Sequence, residues 1–256
     1  MIRFSHGFSD IMTITRRNLV KYVRLPQLVV FSTIQPVMFM LLFTYVFGGA
    51  IKTNFEDYIT FLLPGIIVQT VLFGSMMTGM SLAEDLQRGM MDRFRSLPMA
   101  HSAILGGRTI TDAIRNLFVI LLMTGLGLLI GFRVDHGIPE FALGILLTLL
   151  FGFAFSWVSA AIGMSVKDVE TAQVSGFIWV FPLVFASSIF VPIETMPDWL
   201  QVFAKHTPIT ATVNAMRALS LGQDAAKYVW QSLAWIGALL LIFVPLSVYI
   251  YNKKKY

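Results

Sequence analysis

Along most of this chain the apolar residues come in blocks rather than stripes. Six blocks approach the roughly 20 residues needed to cross about 30 Å of hydrocarbon: residues 27–49, 59–82, 114–132, 140–166, 172–192 and 229–251. A helix buried in a soluble domain shows its apolar residues as one stripe with polar ones opposite. These blocks are apolar all round, so lipid must cover the surplus. The pattern predicts an all-α integral membrane protein with six transmembrane helices, forming one polytopic domain over 1–256.

The segments between and before the blocks are patterned differently. Over residues 4–25, Phe8, Ile11, Met12, Thr15, Leu19, Tyr22 and Val23 recur at helical spacing beside Arg16, Arg17, Lys21 and Arg24. That is a basic amphipathic helix lying in the headgroup plane, occupying 1–26. A cleaved signal peptide would place a short apolar region early, whereas here a long one starts near Leu28. Residues 193–228 are too polar to span. Pro192, Pro197 and Pro208 punctuate the stretch, with short helices predicted over Met196–Lys205 and Ala211–Leu221. Asp198 and Lys205 suit the dipole of the first, and Gly222 closes the second. This is expected to be an external re-entrant segment between spans five and six, with Trp199 at headgroup level. Residues 252–256 form a basic tail.

An even number of spans puts both termini on one side, and the basic residues say which. With the termini inside, only Lys52, Arg133, Lys205, Arg217 and Lys227 of the 19 Lys and Arg fall outside. The positive-inside rule therefore places both termini in the cytoplasm.

That topology puts EDLQRGMMDRFRSLP, residues 84–98, in the cytosol. At the bilayer centre its six charges would cost about 3 kcal/mol each. Glu84, Arg88 and Asp92 fall at i, i+4 and i+8, a stack that would extend the second span beyond the lipid, with Gly89 as its weak point. After it, Met90, Met91, Phe94 and Leu97 form a short apolar stripe against Asp92, Arg93 and Arg95, and Pro98 ends the turn. The basic residues alone fit a loop that only orients its neighbouring spans. The stripe needs a surface to bury against, which points to a cytosolic docking helix.

Composition narrows the function. The chain is 56% hydrophobic and 13% charged, with a mean hydropathy of +0.74 and a net charge of +5 gathered at the ends of apolar blocks, which argues against nucleic acid. With no Cys, thiolate metal sites and cysteine nucleophiles are excluded. His6, His101, His136 and His206 are isolated, and no catalytic or metal constellation is visible. No Gly precedes a Lys, so the phosphate-binding loop G-x-x-x-x-G-K-[ST] is absent. Nor does an ionisable residue occupy the middle of a block. Asp112 and Arg115 come closest, at the predicted cytoplasmic start of the third, within reach of water. Ion coupling is thus disfavoured, and energy for transport must come from another polypeptide. Pro36, Pro64 and Pro182 interrupt three blocks, and kinked helices can line a cavity. Gln35, Phe39, Gln69, Phe177 and Phe181 are the candidates for a solute path, set against the plainer reading that the rings face lipid. Gly127-x-x-x-Gly131 and Gly152-x-x-x-Ser156 permit close helix contact.

Three stretches carry a resemblance. EDLQRGMMDRFRSLPMAHSAILGGR, KDVETAQVSGF at 167–177, and SSIFVPIETMPDWLQVFAKHTPITATVNAMRAL resemble the permease subunits of type-2 ATP-binding-cassette exporters, in particular the daunorubicin-resistance permease group. The shared patterns are D-R-F-R-S-L-P-M with a following G-R, then F-V-P-x-x-x-M-P-x-W-L-Q-x-F-A, P-I-T and A-x-R-A-L. His101, where Arg is usual, and Lys205-His206 depart mildly. The resemblance implies a transporter subunit, not an enzyme, paired with a second permease subunit as a homo- or heterodimer in a bacterial plasma membrane. Each subunit would dock on a separate ATP-binding subunit that carries ATP and Mg. It further implies that Asp92, Arg93, Phe94, Arg95, Leu97 and Pro98 form the coupling helix, and that Glu84, Asp85 and Arg88 form a cytosolic gate. Lys167, Asp168 and Glu170 would make a second cytosolic contact. The expected cargo is a hydrophobic or amphipathic compound. A lipid-linked saccharide or other large amphiphile, and a membrane scaffold without transport, are the alternatives.

Overall fold

The computed structural model describes residues 5–24, 26–51, 53, 55, 57–89, 101–134 and 137–253. They form nine α-helices: α1 (Ser5–Arg24), α2 (Pro26–Leu42), α3 (Tyr58–Gln87), α4 (His101–Ile130), α5 (Ile138–Ser165), α6 (Val169–Phe185), α7 (Asp198–Lys205), α8 (Pro208–Leu221) and α9 (Ala226–Lys253). A π-helical turn, Phe43–Phe47, prolongs α2, and a 3₁₀ turn covers Ile193–Thr195. Among the described residues there is no strand. Among the described residues, four stretches are long and apolar enough to cross a membrane: Tyr58–Gln87, Gly106–Ile130, Ile138–Ser165 and Ala226–Tyr251. Thr33–Phe47 and Val169–Phe185 are shorter apolar helices.

The central helix is α3. Of its apolar stretch 83% is buried, against 11% for α9, so α3 forms the axis and α9 an outer wall. Helices α5 and α3 run side by side in the same direction, because Gly152 receives Val71 and Gly163 meets Gly79. Helix α4 runs the other way, with Gly127 against Leu63 and Asp112 against Thr78. The C-termini of α3 and α5 and the N-terminus of α4 therefore share one end of the molecule. Helix α1 lies on that end, where Ile14 packs on Gly107 and the Thr15 hydroxyl donates to the Gly107 carbonyl at 3.1 Å. At the opposite end, Tyr58, the 186–192 segment, α7 and α8 gather.

Close approach of α3 and α5 depends on Gly79 and Gly163, since a Cβ on Gly163 would collide with the Gly79 carbonyl. Backbones can touch there only because neither residue has a side chain. Gly163→Ala is expected to cost about 1–3 kcal/mol by forcing the helices apart. Gly125→Ala, whose Cβ meets nothing within 4 Å, is expected to stay within about 0.5 kcal/mol of the parent. Thermal unfolding of the purified proteins in one detergent compares them.

Element boundaries depart from the apolar blocks in instructive ways. The third block is expected to begin at 114, but α4 is already helical at His101. The fifth is expected to run to 192, yet α6 stops at Phe185, where the Ala186 N–H closes on the Pro182 carbonyl at 2.9 Å. From there the chain is irregular and buried, a state that requires outside partners for its backbone. Helix α8 begins at Pro208 instead of Ala211, because Thr207 caps it by accepting the Thr210 N–H and proline suits the first helical position. Gly222 ends α8 in the left-handed conformation, φ 72°.

Candidate functional site

The interior is not wholly apolar. Asp112 and Arg115, expected within reach of water, are only 4% and 6% exposed. One turn of α4 separates them, and the Arg115 Nη1 lies 3.4 Å from Asp112 Oδ1. Across the α3–α4 contact the Thr78 hydroxyl donates to Asp112. Arg115 Nη2 donates to the Gly74 carbonyl at 2.8 Å and to Asn116 Oδ1 at 3.3 Å. Gly74 makes this possible, for a Cβ there would overlap the Asn116 amide and the guanidinium. A buried carboxylate and guanidinium thus neutralise each other, and their remaining polar atoms find hydrogen bonds, as a low-dielectric site requires.

Beside this pair lies a cavity of about 90 Å³, lined by Gln35, Gln69, Thr70, Phe73, Arg115 and Asn116 among others. The structure therefore brings together Gln35 and Gln69, two of the five residues assigned to a solute path. Gln69 is 3% exposed and its Oε1 accepts no hydrogen bond.

The other three, Phe39, Phe177 and Phe181, belong to a chain of aromatic rings that starts at the cavity wall. Phe73 stands 6.3 Å from Phe177 and 5.8 Å, edge-on, from Phe181. The rings continue from Phe181 to Phe185 at 5.7 Å, to Phe190 at 5.3 Å and to Phe43 at 4.3 Å. Phe39 joins beside Phe43 and Phe190, 6.0 Å from each. The i, i+4 spacing of Phe177, Phe181 and Phe185 puts three rings on one face of α6, and Phe181 and Phe185 are 39% and 47% exposed there.

Arg217 organises the far end. Its guanidinium is buried and donates to the Phe61 carbonyl at 3.2 and 3.0 Å, the Ser188 carbonyl at 2.9 Å and Asn214 Oδ1 at 3.0 Å. Its Cζ also lies 3.8 Å above the Phe61 ring. The Tyr58 hydroxyl donates to the Phe190 carbonyl at 2.6 Å. These are the partners that the irregular 186–192 segment needs. Burial lowers the Arg217 pKa to about 9, opposed by the fields of Tyr58, Glu194 and Tyr228, and the group stays cationic at neutral pH.

Residues 9–221 match the ABC-2 type transporter family. The chain belongs to the ABC-2 type transporter family. It is 35% identical over 238 residues to the daunorubicin resistance ABC transporter permease protein DrrB1 of Streptomyces coeruleorubidus, an alignment covering 93% of this chain and 84% of the relative. Identity is 25% to the probable doxorubicin resistance ABC transporter permease protein DrrC of Mycobacterium tuberculosis, over 91% of this chain and 85% of that one. The putative transport permease ycf38 of Cyanophora paradoxa is 24% identical over 82% of this chain and 73% of its own. Membership of the ABC-2 family makes this a transporter permease, a multi-pass membrane protein whose family implies an ATP-binding partner.

In this ABC-2 permease, charge concentrates at the shared end of α3, α4 and α5. Asp85 and Arg108 join α3 to α4 at 2.8 Å, with side chains 13% and 16% exposed. Glu84 and Arg88 pair at 2.6 Å in the open, 36% and 67% exposed, a contact worth about 0.5 kcal/mol or less. Of the three predicted gate residues, only Asp85 reaches another helix. The Glu84–Arg88 pair is the first step of the expected stack; α3 then stops at Gln87, Gly89, its expected weak point, turns left-handed at φ 63°, and Asp92 lies outside the described residues. Asp168 caps α6 at the same end by accepting the Thr171 N–H at 2.6 Å. That bond, with the Thr171 hydroxyl, holds its carboxyl below the usual range. Its neighbours Lys167 and Glu170 are exposed. The predicted docking residues Asp92, Arg93, Phe94, Arg95, Leu97 and Pro98 lie outside the described residues, between Gly89 and His101.

Sequence reading missed Asn116, Gly74 and Phe73, and gave Arg217 no role beyond an external charge and a place in the A-x-R-A-L pattern. The i, i+3 spacing of Asp112 and Arg115 was the available signal for a self-neutralising pair.

Proposed function

We propose that this chain is the transmembrane subunit of an ATP-driven exporter that carries hydrophobic or amphipathic compounds, drug- or lipid-like, out of a bacterial cell. It has six spans, α2 to α6 and α9, with both termini cytoplasmic. Residues 92–98 dock on a separate ATP-binding subunit, where ATP and Mg are held. Glu84, Asp85 and Arg88 gate the cytosolic mouth, and Lys167, Asp168 and Glu170 make a second contact with the partner. The exposed apolar faces of α2 and α6 pack against a second permease subunit or lipid.

One observation carries this reading: α3 is a single buried helix whose C-terminal charges stand shortly before residues 92–98 in the chain and whose middle lines the cavity. Movement imposed on residues 92–98 by closure of the ATP-binding pair passes along α3 as a rigid body to Gln69 and Phe73. The drug-resistance names of the relatives support a cargo of this class.

The test is co-purification. Arg93→Ala with Phe94→Ala is expected to lower recovery of the ATP-binding subunit at least about tenfold, the loss of a charge contact and an apolar anchor together. ATP-dependent efflux from vesicles should fall with it. Undiminished recovery and transport would remove residues 92–98 from the interface.

A further inference from the structure

We propose that the groove between the α7–α8 corner and α9 is a binding site for one anionic phospholipid, whose phosphate is held by Lys205 and whose acyl chain lies along α9. The site goes beyond the export reading and requires only that the chain sits in a membrane. That the lipid belongs to the outer leaflet follows from the topology proposed above.

The corner stands against α9 because α8 and α9, joined by the short 222–225 turn, run antiparallel with the Thr212 and Ser232 hydroxyls 2.8 Å apart. The end of α7 and the start of α8 therefore reach residues 231–238 of α9, across a groove of about 300 Å³. Small residues keep it open: Ala211 on α8, and Ala234 and Ala238 one turn apart on α9. Trp235 lines it too and is 40% exposed.

Depth points to lipid. Counting back about 20 residues from Tyr251, where the apolar stretch of α9 ends, reaches the neighbourhood of Gln231, so hydrocarbon of about 30 Å begins there. Trp230, exposed beside it, marks the same level, as an interfacial tryptophan does. Helix α7 adds Trp199, Val202 and Phe203, exposed at i, i+3 and i+4 on one face, an apolar surface suited to the headgroup boundary. Past Ala238, the exposed Leu241 and Ile242 continue its face of α9 toward the bilayer centre, a track for an acyl chain.

Charge selects the lipid. Lys205 and His206 line the groove and no carboxylate does. Lys205 Nζ donates to the Gln201 amide oxygen at 3.3 Å, a neutral partner that leaves the cation to attract a phosphate. His206 Nδ1 lies 2.8 Å from the Val202 carbonyl, which can only accept, so Nδ1 carries the proton and Nε2 is left to accept from a headgroup hydroxyl. A phosphatidylglycerol headgroup brings both the phosphate and the hydroxyls. Phosphatidylcholine brings no hydroxyl and a quaternary ammonium that Lys205 repels. Lys205 and His206 are also where the chain departs from the daunorubicin-permease pattern, so the shared role leaves them unexplained.

Quenching of tryptophan by lipid bromines tests the site. Full-length permease in phosphatidylcholine nanodiscs receives increasing fractions of phosphatidylglycerol brominated along its acyl chains, with brominated phosphatidylcholine as the reference. Phosphatidylglycerol is expected to quench at a several-fold lower fraction, and Trp235→Phe should abolish that difference. Lys205→Gln, at an exposed position, should raise the half-quenching fraction about fivefold. Ala238→Leu fills the groove from the exposed face of α9 and should do the same with Lys205 intact. Equal quenching by the two lipids, or a difference that survives Trp235→Phe or Lys205→Gln, overturns the site. Displacement of the lipid by soluble glycerol phosphate would mean that an anion alone is recognised, and a Trp235 reached by neither lipid would mean that protein covers the groove; either result overturns it as well. ATP-driven transport is not read in this assay, so the export reading stands or falls separately.

Discussion

Arg217→Ala is expected to destabilise the permease by about 3 kcal/mol or more. Deletion of the guanidinium leaves the carbonyls of Phe61 and Ser188 without the donors that now reach them at 3.0 and 2.9 Å. Each lies in a buried end of the bundle, where an unpaired acceptor costs about 1–3 kcal/mol. The stacking on Phe61 is lost as well. Arg217→Lys should recover less than half of the deficit, because an ammonium is one point and cannot span Phe61, Ser188 and Asn214 at once. Thermal unfolding in detergent measures both variants. A near-neutral alanine variant would mean that water replaces the side chain and that Tyr58, Thr210 and Asn214 suffice to hold the 186–192 segment.

Asp112→Ala is expected to cost a comparable amount, about 3–5 kcal/mol, because it leaves Arg115 charged and without its carboxylate inside the bundle. The double change Asp112→Leu with Arg115→Met removes both charges and is expected to unfold closer to the parent than Asp112→Ala does. This non-additivity distinguishes a neutralised pair from two separate hydrogen-bonding residues. If the double variant melts below Asp112→Ala, the hydrogen bonds to Thr78 and Gly74 outweigh the charge term.

How much of this was legible in the sequence varies by physical cause. Long apolar blocks announce helices α3, α5 and α9 to within a few residues, because an unbroken run has one cheap solution in lipid. The start of α4 was misplaced because Asp112 and Arg115 look like solvated residues to any scan that weighs each position alone. Their partners, Thr78 and the Gly74 carbonyl, sit on another helix. The end of α6 was misplaced for a related reason, since the hydrogen bonds that permit buried irregular backbone at 186–192 come from Tyr58 and Arg217. For the site, Phe177 and Phe181 follow from spacing on one helix and Gln35 and Gln69 from rarity of polar residues in apolar blocks. Phe73 and Asn116 carry no local mark, and only the packing of α3 against α4 and α6 selects them. Gly79 and Gly163 likewise look like any two glycines until two helices meet.

The guanidinium latch also sets an order in time. Synthesis proceeds from the N-terminus, so α3 and the 186–192 segment leave the ribosome before residue 217 exists. Until then the Phe61 and Ser188 carbonyls must be served by water or by the insertion machinery, and the far end of the bundle stays open. That end can therefore close only once α8 has been made, and a chain truncated before α8 would lack the bonds that Thr210, Asn214 and Arg217 bring to it.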